Sequence, residues 1–263
     1  MRRIPRGLFV ALAVVAACGD DGSSVEVDAV PSLDASGAPD AAADAGVDAG
    51  ADASGVPLAG FGGITGMCGV LSPAELDGMM PRWFDGELDF GADRYDDPAE
   101  RDRLTTGGLE IILDGNAGGS SLYSEVFAFE WLARCELATL LKTETEIIYD
   151  TQGKKADLLV SIDGRKVGVS VTRAVMFPFG NDYTPAAATT LLDGKLDDIQ
   201  VASTLVSAAD AWTTDMLVVL AYNLQHAQVA MQAWSALDAA TRGEVIVVVV
   251  VTSGDDLFIY TDS

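Results

Sequence analysis

Among the side chains that could do chemistry in this sequence, acids dominate. The 263 residues include 40 Asp and Glu against 16 Lys and Arg, with one His. Two acids stand where elements open: Glu125 in the first turn of a predicted helix, and Asp157 in Lys155-Ala156-Asp157, ahead of the apolar run Leu158-Leu159-Val160. A carboxylate so placed is either a functional acid or a structural one. A first-turn Glu is favoured by the helix dipole, and an Asp at a strand edge can cap or solvate a hairpin. Lys195, in Leu192-Asp-Gly-Lys-Leu196, offers a cation on a later helix. His226 has no second His and no nearby Cys, so it cannot build a zinc site. Ser170 and Ser203 lack the Gly-x-Ser-x-Gly elbow of a nucleophilic triad. Gly118-Gly119-Ser120-Ser121 before a helix could cradle an anion, but it lacks the Lys and the preceding buried strand of a P-loop.

The first residues have a different chemistry. Arg2, Arg3 and Arg6 precede an apolar run from Gly7 to Ala17, too short to span a bilayer and flanked like a secretory signal. The run ends Val15-Ala16-Ala17-Cys18, which resembles the lipobox of bacterial lipoprotein signals. That resemblance implies cleavage before Cys18, acylation of its thiol, and a multi-chain lipid anchor; a single chain holds only marginally. With Gly19, Asp20 and Asp21 following, the expected location is the cell envelope, lipid-anchored at the outer membrane. Residues 1–17 are thus the expected signal peptide.

Residues 18–58 read as a tether. Asp-Ala recurs at Asp28, Asp34, Asp40, Asp44, Asp48 and Asp52, without an aromatic residue or a core-forming run, so ordering entropy is not offset. The Gly-rich ligand spacing of a calcium repeat is absent. The remaining residues, 59–263, suffice for one domain, which carries 31 acidic and 13 basic residues, net −18. Such a surface repels polyanions and weighs against nonspecific nucleic-acid binding. The charge is uneven. Ten acids lie between Glu75 and Asp102, while Lys154, Lys155, Arg165, Lys166 and Arg173 fall within twenty residues. Cys68 and Cys135 remain once Cys18 is acylated; in an oxidising compartment they could pair or stay as two buried thiols.

The elements that must position these residues read as follows. Ser72-Pro-Ala-Glu75 predicts a short capped helix. Leu109–Leu113 reads as a short strand. Apolar residues at three- and four-residue steps predict a helix over Ser120–Lys142, behind capping serines. Strands follow at Glu146–Tyr149, Ala156–Ile162 and Lys166–Arg173, the last two joined by an Asp163-Gly164 hairpin turn. A helix at Ala186–Ser207, a strand at Met216–Tyr222, a helix at Leu224–Leu237 and a Val-rich strand at Glu244–Thr252 complete the pattern. Leu257–Tyr260 could add one more strand. Continuous apolar strands are buried on both faces, which predicts an α/β three-layer sandwich: a mixed central sheet flanked by helices.

The order helix, three strands, helix, strand (αβββαβ) over roughly 120–220 resembles the restriction-endonuclease-like PD-(D/E)XK fold. The resemblance implies a magnesium site, with Glu125 as the helix acid, Asp157 as the strand acid and Lys195 as a migrated lysine beside the nucleophile. The third strand departs from the family pattern. Its acid-x-Lys slot falls on Ser170-Val171-Thr172, which supplies neither a carboxylate nor a cation.

Two functions are therefore expected. The first is a lipid-anchored extracytoplasmic binding protein on a degenerate nuclease-like scaffold. It reaches the membrane through Cys18, takes an unknown protein or ligand as partner, and requires no cofactor. The second is a divergent Mg2+-dependent nuclease with nucleic acid as partner.

Overall fold

The computed structural model describes residues 55–117 and 121–261. The expected signal peptide, Cys18, nearly all of the tether and residues 118–120 of the Gly-Gly-Ser-Ser segment lie outside the described residues. In chain order the elements are β1 (Gly63–Thr65), α1 (Pro73–Leu76), β2 (Arg82–Asp89), a 3-10 turn (Pro98–Arg103), α2 (Thr106–Asp114), α3 (Leu122–Cys135), β3 (Thr139–Thr143), β4 (Leu158–Ile162) and β5 (Arg165–Ala174). Then come α4 (Pro185–Leu205), β6 (Thr214–Ala221), α5 (Leu224–Ala236), α6 (Ala239–Arg242), β7 (Ile246–Ser253) and α7 (Leu257–Tyr260).

The strands form one seven-stranded mixed sheet in the order β1-β2-β7-β6-β5-β4-β3. Strands β2, β7, β6 and β5 run parallel, while β1, β4 and β3 pair antiparallel to their neighbours. Side chains alternate across a strand, so each parallel strand supplies both faces. Met216, Val218 and Leu220 of β6 with Val248 and Val250 of β7 pack against α3 and α7. Leu217, Val219, Val247 and Val249 pack against α4 and α5. Helices cover both faces, and the central strands are buried over most of their length. The Asp163-Gly164 turn closes the β4–β5 hairpin with both residues at positive φ (52° and 77°), the backbone of a type I′ turn.

Several elements differ from their sequence reading. Residues 109–113 lie inside α2, not a strand. Thr105 caps that helix, its Oγ1 accepting from Gly108 N–H at 3.2 Å. The buried Glu130 carboxylate holds Thr105 in turn, through its N–H at 2.8 Å and its hydroxyl at 2.6 Å. Helix α3 ends at Cys135, seven residues before the predicted end. Leu137 takes the left-handed conformation (φ 55°) and Ala138 N–H reaches back to the Leu132 carbonyl at 3.2 Å. This is a left-handed stop made without Gly or Asn. The released residues form β3. Residues 146–149, expected as a strand, contribute an isolated bridge from Tyr149 to Val206, and Leu257–Tyr260 is a helical turn. Strand β2 had no clear apolar period, because acids alternate along it and Gly86 interrupts it. A Cβ at Gly86 would lie 2.5 Å from the Trp131 ring, so the strand needs glycine to let that indole in.

Three consecutive residues at the end of α3 secure the segment leading into the sheet. The Arg134 guanidinium donates to the carbonyls of Leu58, Phe61 and Gly62 at 2.9, 2.7 and 2.7 Å. Cys135 is joined to Cys68, with a Cα–Cα distance of 4.7 Å. The Glu136 carboxylate accepts from the N–H groups of Gly69, Val70 and Leu71 at 3.0, 3.3 and 2.9 Å.

Candidate functional site

Strand β5 is longer than β4, and the two part beyond the Leu158–Val169 pair. Asp157 stands at that parting point, one residue before β4. Its N–H still donates to the Val169 carbonyl at 2.9 Å. Its Oδ2 accepts from Val171 N–H at 2.6 Å and from the Ser170 hydroxyl at 3.2 Å. The carboxylate thus takes over the hydrogen bond that a longer β4 would have made to β5. Burial pushes the Asp157 carboxyl above its ordinary range, while the Val171 N–H, the Lys195 charge and the Ser170 hydroxyl oppose that rise.

Glu125 comes from the other side of the sheet, in the first turn of α3, and its side chain is buried. Ser121 occupies the cap position without capping; its hydroxyl donates instead to Glu125 Oε1 at 2.7 Å. The Asn116 amide donates to the same oxygen at 2.8 Å. Burial raises the Glu125 pKa to about 7, the nearby Asp157 charge adds to the rise, and the Asn116 and Ser121 bonds oppose it.

Glu144 was not among the acids singled out in the sequence. It follows β3 directly, accepts from Ala117 N–H at 3.1 Å, and its charge raises both Glu125 and Asp157. Tyr149 closes the group. Its hydroxyl oxygen accepts from Ala156 N–H at 2.8 Å, and its pKa rises through burial, with Asp157 and Glu144 adding. The structure therefore brings Glu125, Glu144 and Lys195 each within electrostatic reach of Asp157. Glu144 became visible once β3 was separated from the helix, because it is the residue at that strand's exit.

This acidic group does not fit a resident magnesium ion. One Asp157 oxygen is committed to two protein donors, and Ser170 and Thr172, both buried, stand where the resemblance requires a carboxylate and a cation. Among the described residues, three acids with ligand oxygens within 4.8 Å of one another occur at Glu110, Asp114 and Glu146 on the exposed surface, not at Glu125, Asp157 and Glu144.

The clustered bases are also largely engaged. Lys154 pairs with Asp198 at 2.7 Å, and Arg165 grips both oxygens of Asp77. Lys166 donates to the Ala209 carbonyl at 2.8 Å and Arg173 to the Ile259 carbonyl at 3.1 Å. His226 lies elsewhere, in the first turn of α5, where its Nδ1 donates to the Ala174 carbonyl at 2.7 Å. Ser203 spends its hydroxyl on the Gln200 carbonyl of its own helix. Trp212 is buried and donates to Asp215 at 2.7 Å.

No family model and no solved structure matches the chain. Among curated proteins it is similar to the "AAC-rich mRNA clone AAC4 protein" of Dictyostelium discoideum, with 36% identity over 152 residues. That match covers 56% of this chain and 22% of the relative, so the chain spans about a fifth of the relative's length.

Proposed function

We propose that this protein is a lipid-anchored extracytoplasmic binding protein, held at the outer membrane through Cys18, whose globular part uses a nuclease-like scaffold without its metal chemistry. The order α3, β3–β4–β5 antiparallel, α4, then β6 parallel to β5 supports the scaffold resemblance. One observation carries the non-catalytic reading: the Asp157 carboxylate serves as a backbone cap where β5 runs on past β4. Its neighbour across the ladder is a serine, where the resemblance requires an acid. The engaged bases and the net negative charge agree with this, since both disfavour a polyanion. Among the described residues no helix is long and apolar enough to cross a membrane, and a lipid tether needs none.

A divergent metal-dependent nuclease, with nucleic acid as partner and magnesium as cofactor, is the second reading. The convergence of Glu144 and Lys195 on Asp157 favours it. The test is incubation of the purified full chain with DNA and RNA in magnesium and in manganese. The expected result is no cleavage and no metal-induced rise in melting temperature. Cleavage that disappears in both Asp157→Asn and Lys195→Ala would overturn the proposal.

A further inference from the structure

We infer that the cavity at the carboxyl ends of β5 and β6 is a binding site for a small organic cation of the alkylammonium class. It encloses about 470 Å³ between the loop leaving β5 (Val175–Thr184) and the first turn of α5, a size and a place in α/β folds suited to ligands. Four aromatic rings line it in a connected series. Phe179 meets Tyr222 edge-on, with centroids 4.9 Å apart. Tyr222 lies 5.8 Å from His226, and His226 lies 5.0 Å from Tyr183 at a shallow angle. The bond from Nδ1 to the Ala174 carbonyl fixes the His226 ring in the wall. Among the lining residues Asp182 supplies a carboxylate, and neither Lys nor Arg is present.

Ring faces carry negative electrostatic potential and attract a weakly hydrated cation, while a carboxylate at the rim adds long-range attraction. The net charge of −24 acts in the same direction. An anion would find little here. The two helix amino ends beside the cavity are capped from within the protein: Thr184 Oγ1 accepts from Ala187 N–H, and Asn223 Oδ1 accepts from His226 N–H. Asp182 would repel it. A neutral apolar solute would fill the space but gain nothing from the carboxylate.

The site is separate from the Glu125–Asp157 group, so its test succeeds or fails independently of any nuclease assay. The probe is tetramethylammonium chloride, titrated calorimetrically into the full chain against sodium chloride and against neopentyl alcohol, an uncharged analogue of the same branched shape with one added hydroxyl. The expected result is saturable binding at least about tenfold tighter for the cation than for the alcohol. It should weaken about two- to fivefold in Asp182→Asn and in Phe179→Leu, the loss expected from one cation–ring or cation–carboxylate contact at an exposed position. Both positions are exposed, and unchanged melting temperatures would show that both variants fold. Phosphatidylcholine vesicles, compared with phosphatidylglycerol vesicles, tell whether the ammonium group is reached as a free solute or on a lipid headgroup. Equal affinity for the alcohol, no saturable binding, or affinity unchanged in both variants would overturn the inference.

Discussion

Asp157 stands directly across the β4–β5 ladder from Ser170 and accepts that hydroxyl at 3.2 Å, with the Val171 N–H on the same oxygen at 2.6 Å. Both donors lie on β5 beyond the last paired residue of β4. An acid here is therefore part of how the sheet ends. Asp157→Ala leaves a buried N–H without a partner and is expected to cost about 1–3 kcal/mol. Asp157→Asn keeps an amide oxygen for Val171 and is expected to cost about 1 kcal/mol or less. Denaturant unfolding of the two variants checks the order; equal losses would show that the charge, and not the hydrogen bond, matters.

Glu125 makes stability depend on pH. Its folded pKa of about 7 lies above the unfolded value near 4.5, so the folded state holds the proton more tightly. Stability from this group is present below about pH 4.5 and is lost as pH rises through 7. The loss approaches about 3 kcal/mol, since each pKa unit corresponds to about 1.4 kcal/mol. Glu130, Glu136, Asp215 and Asp256 are also raised, each chiefly by burial, and push in the same direction. Glu125→Gln is expected to flatten the slope between pH 4.5 and 7 and to stabilise the protein at pH 8. Urea midpoints measured across that range check it; an unchanged slope would remove Glu125 from the account.

The sequence was most informative where a local rule and burial agree. Asp163-Gly164 specified its turn, and the Val run of β7 specified a strand covered on both faces, so the flanked sheet was legible. It was least informative where a distant side chain decides. Residues 109–113 look like a strand because β propensity is read locally, yet Thr105, held by Glu130 from α3, starts a helix there. Helix α3 was overrun because its stop uses a leucine at positive φ, which carries no compositional mark. That one error hid β3 and, with it, Glu144 at its exit. Of the site, Glu125, Asp157 and Lys195 are reached through the resemblance to the PD-(D/E)XK pattern. The commitment of Asp157 to the β5 backbone could not be reached that way, since it depends on β4 ending one pair too early.

The proposed lipid anchor predicts a change in location without a change in fold. Cys18 precedes the described residues, so its replacement alters none of the contacts described above. Cys18→Ser is expected to abolish fatty-acid labelling and to move the protein from the membrane fraction to the soluble periplasmic fraction. Melting of the purified variant should match that of the lipidated chain. Continued membrane fractionation of the variant would contradict the anchor.

The clamp at the end of α3 combines a covalent bond with two polar grips. The Cys68–Cys135 bond closes a loop of 67 residues that contains β2, α2 and most of α3. Chain entropy alone gives such a closure about 4 kcal/mol against the unfolded state. Reduction should therefore lower the melting temperature markedly. It should not release the entry segment in the folded state, because Arg134 holds three carbonyls and Glu136 three N–H groups of the same stretch. Breaking those is a different injury: Glu136→Gln weakens three charge-assisted bonds, and Arg134→Ala strands three carbonyls, each bond worth about 1.5–3 kcal/mol. Hydrogen exchange distinguishes the two cases. The amides of Val70 and Leu71 should stay protected in the reduced wild type and lose protection in Glu136→Gln with the disulfide intact. The reverse pattern would mean that the covalent bond alone holds the segment.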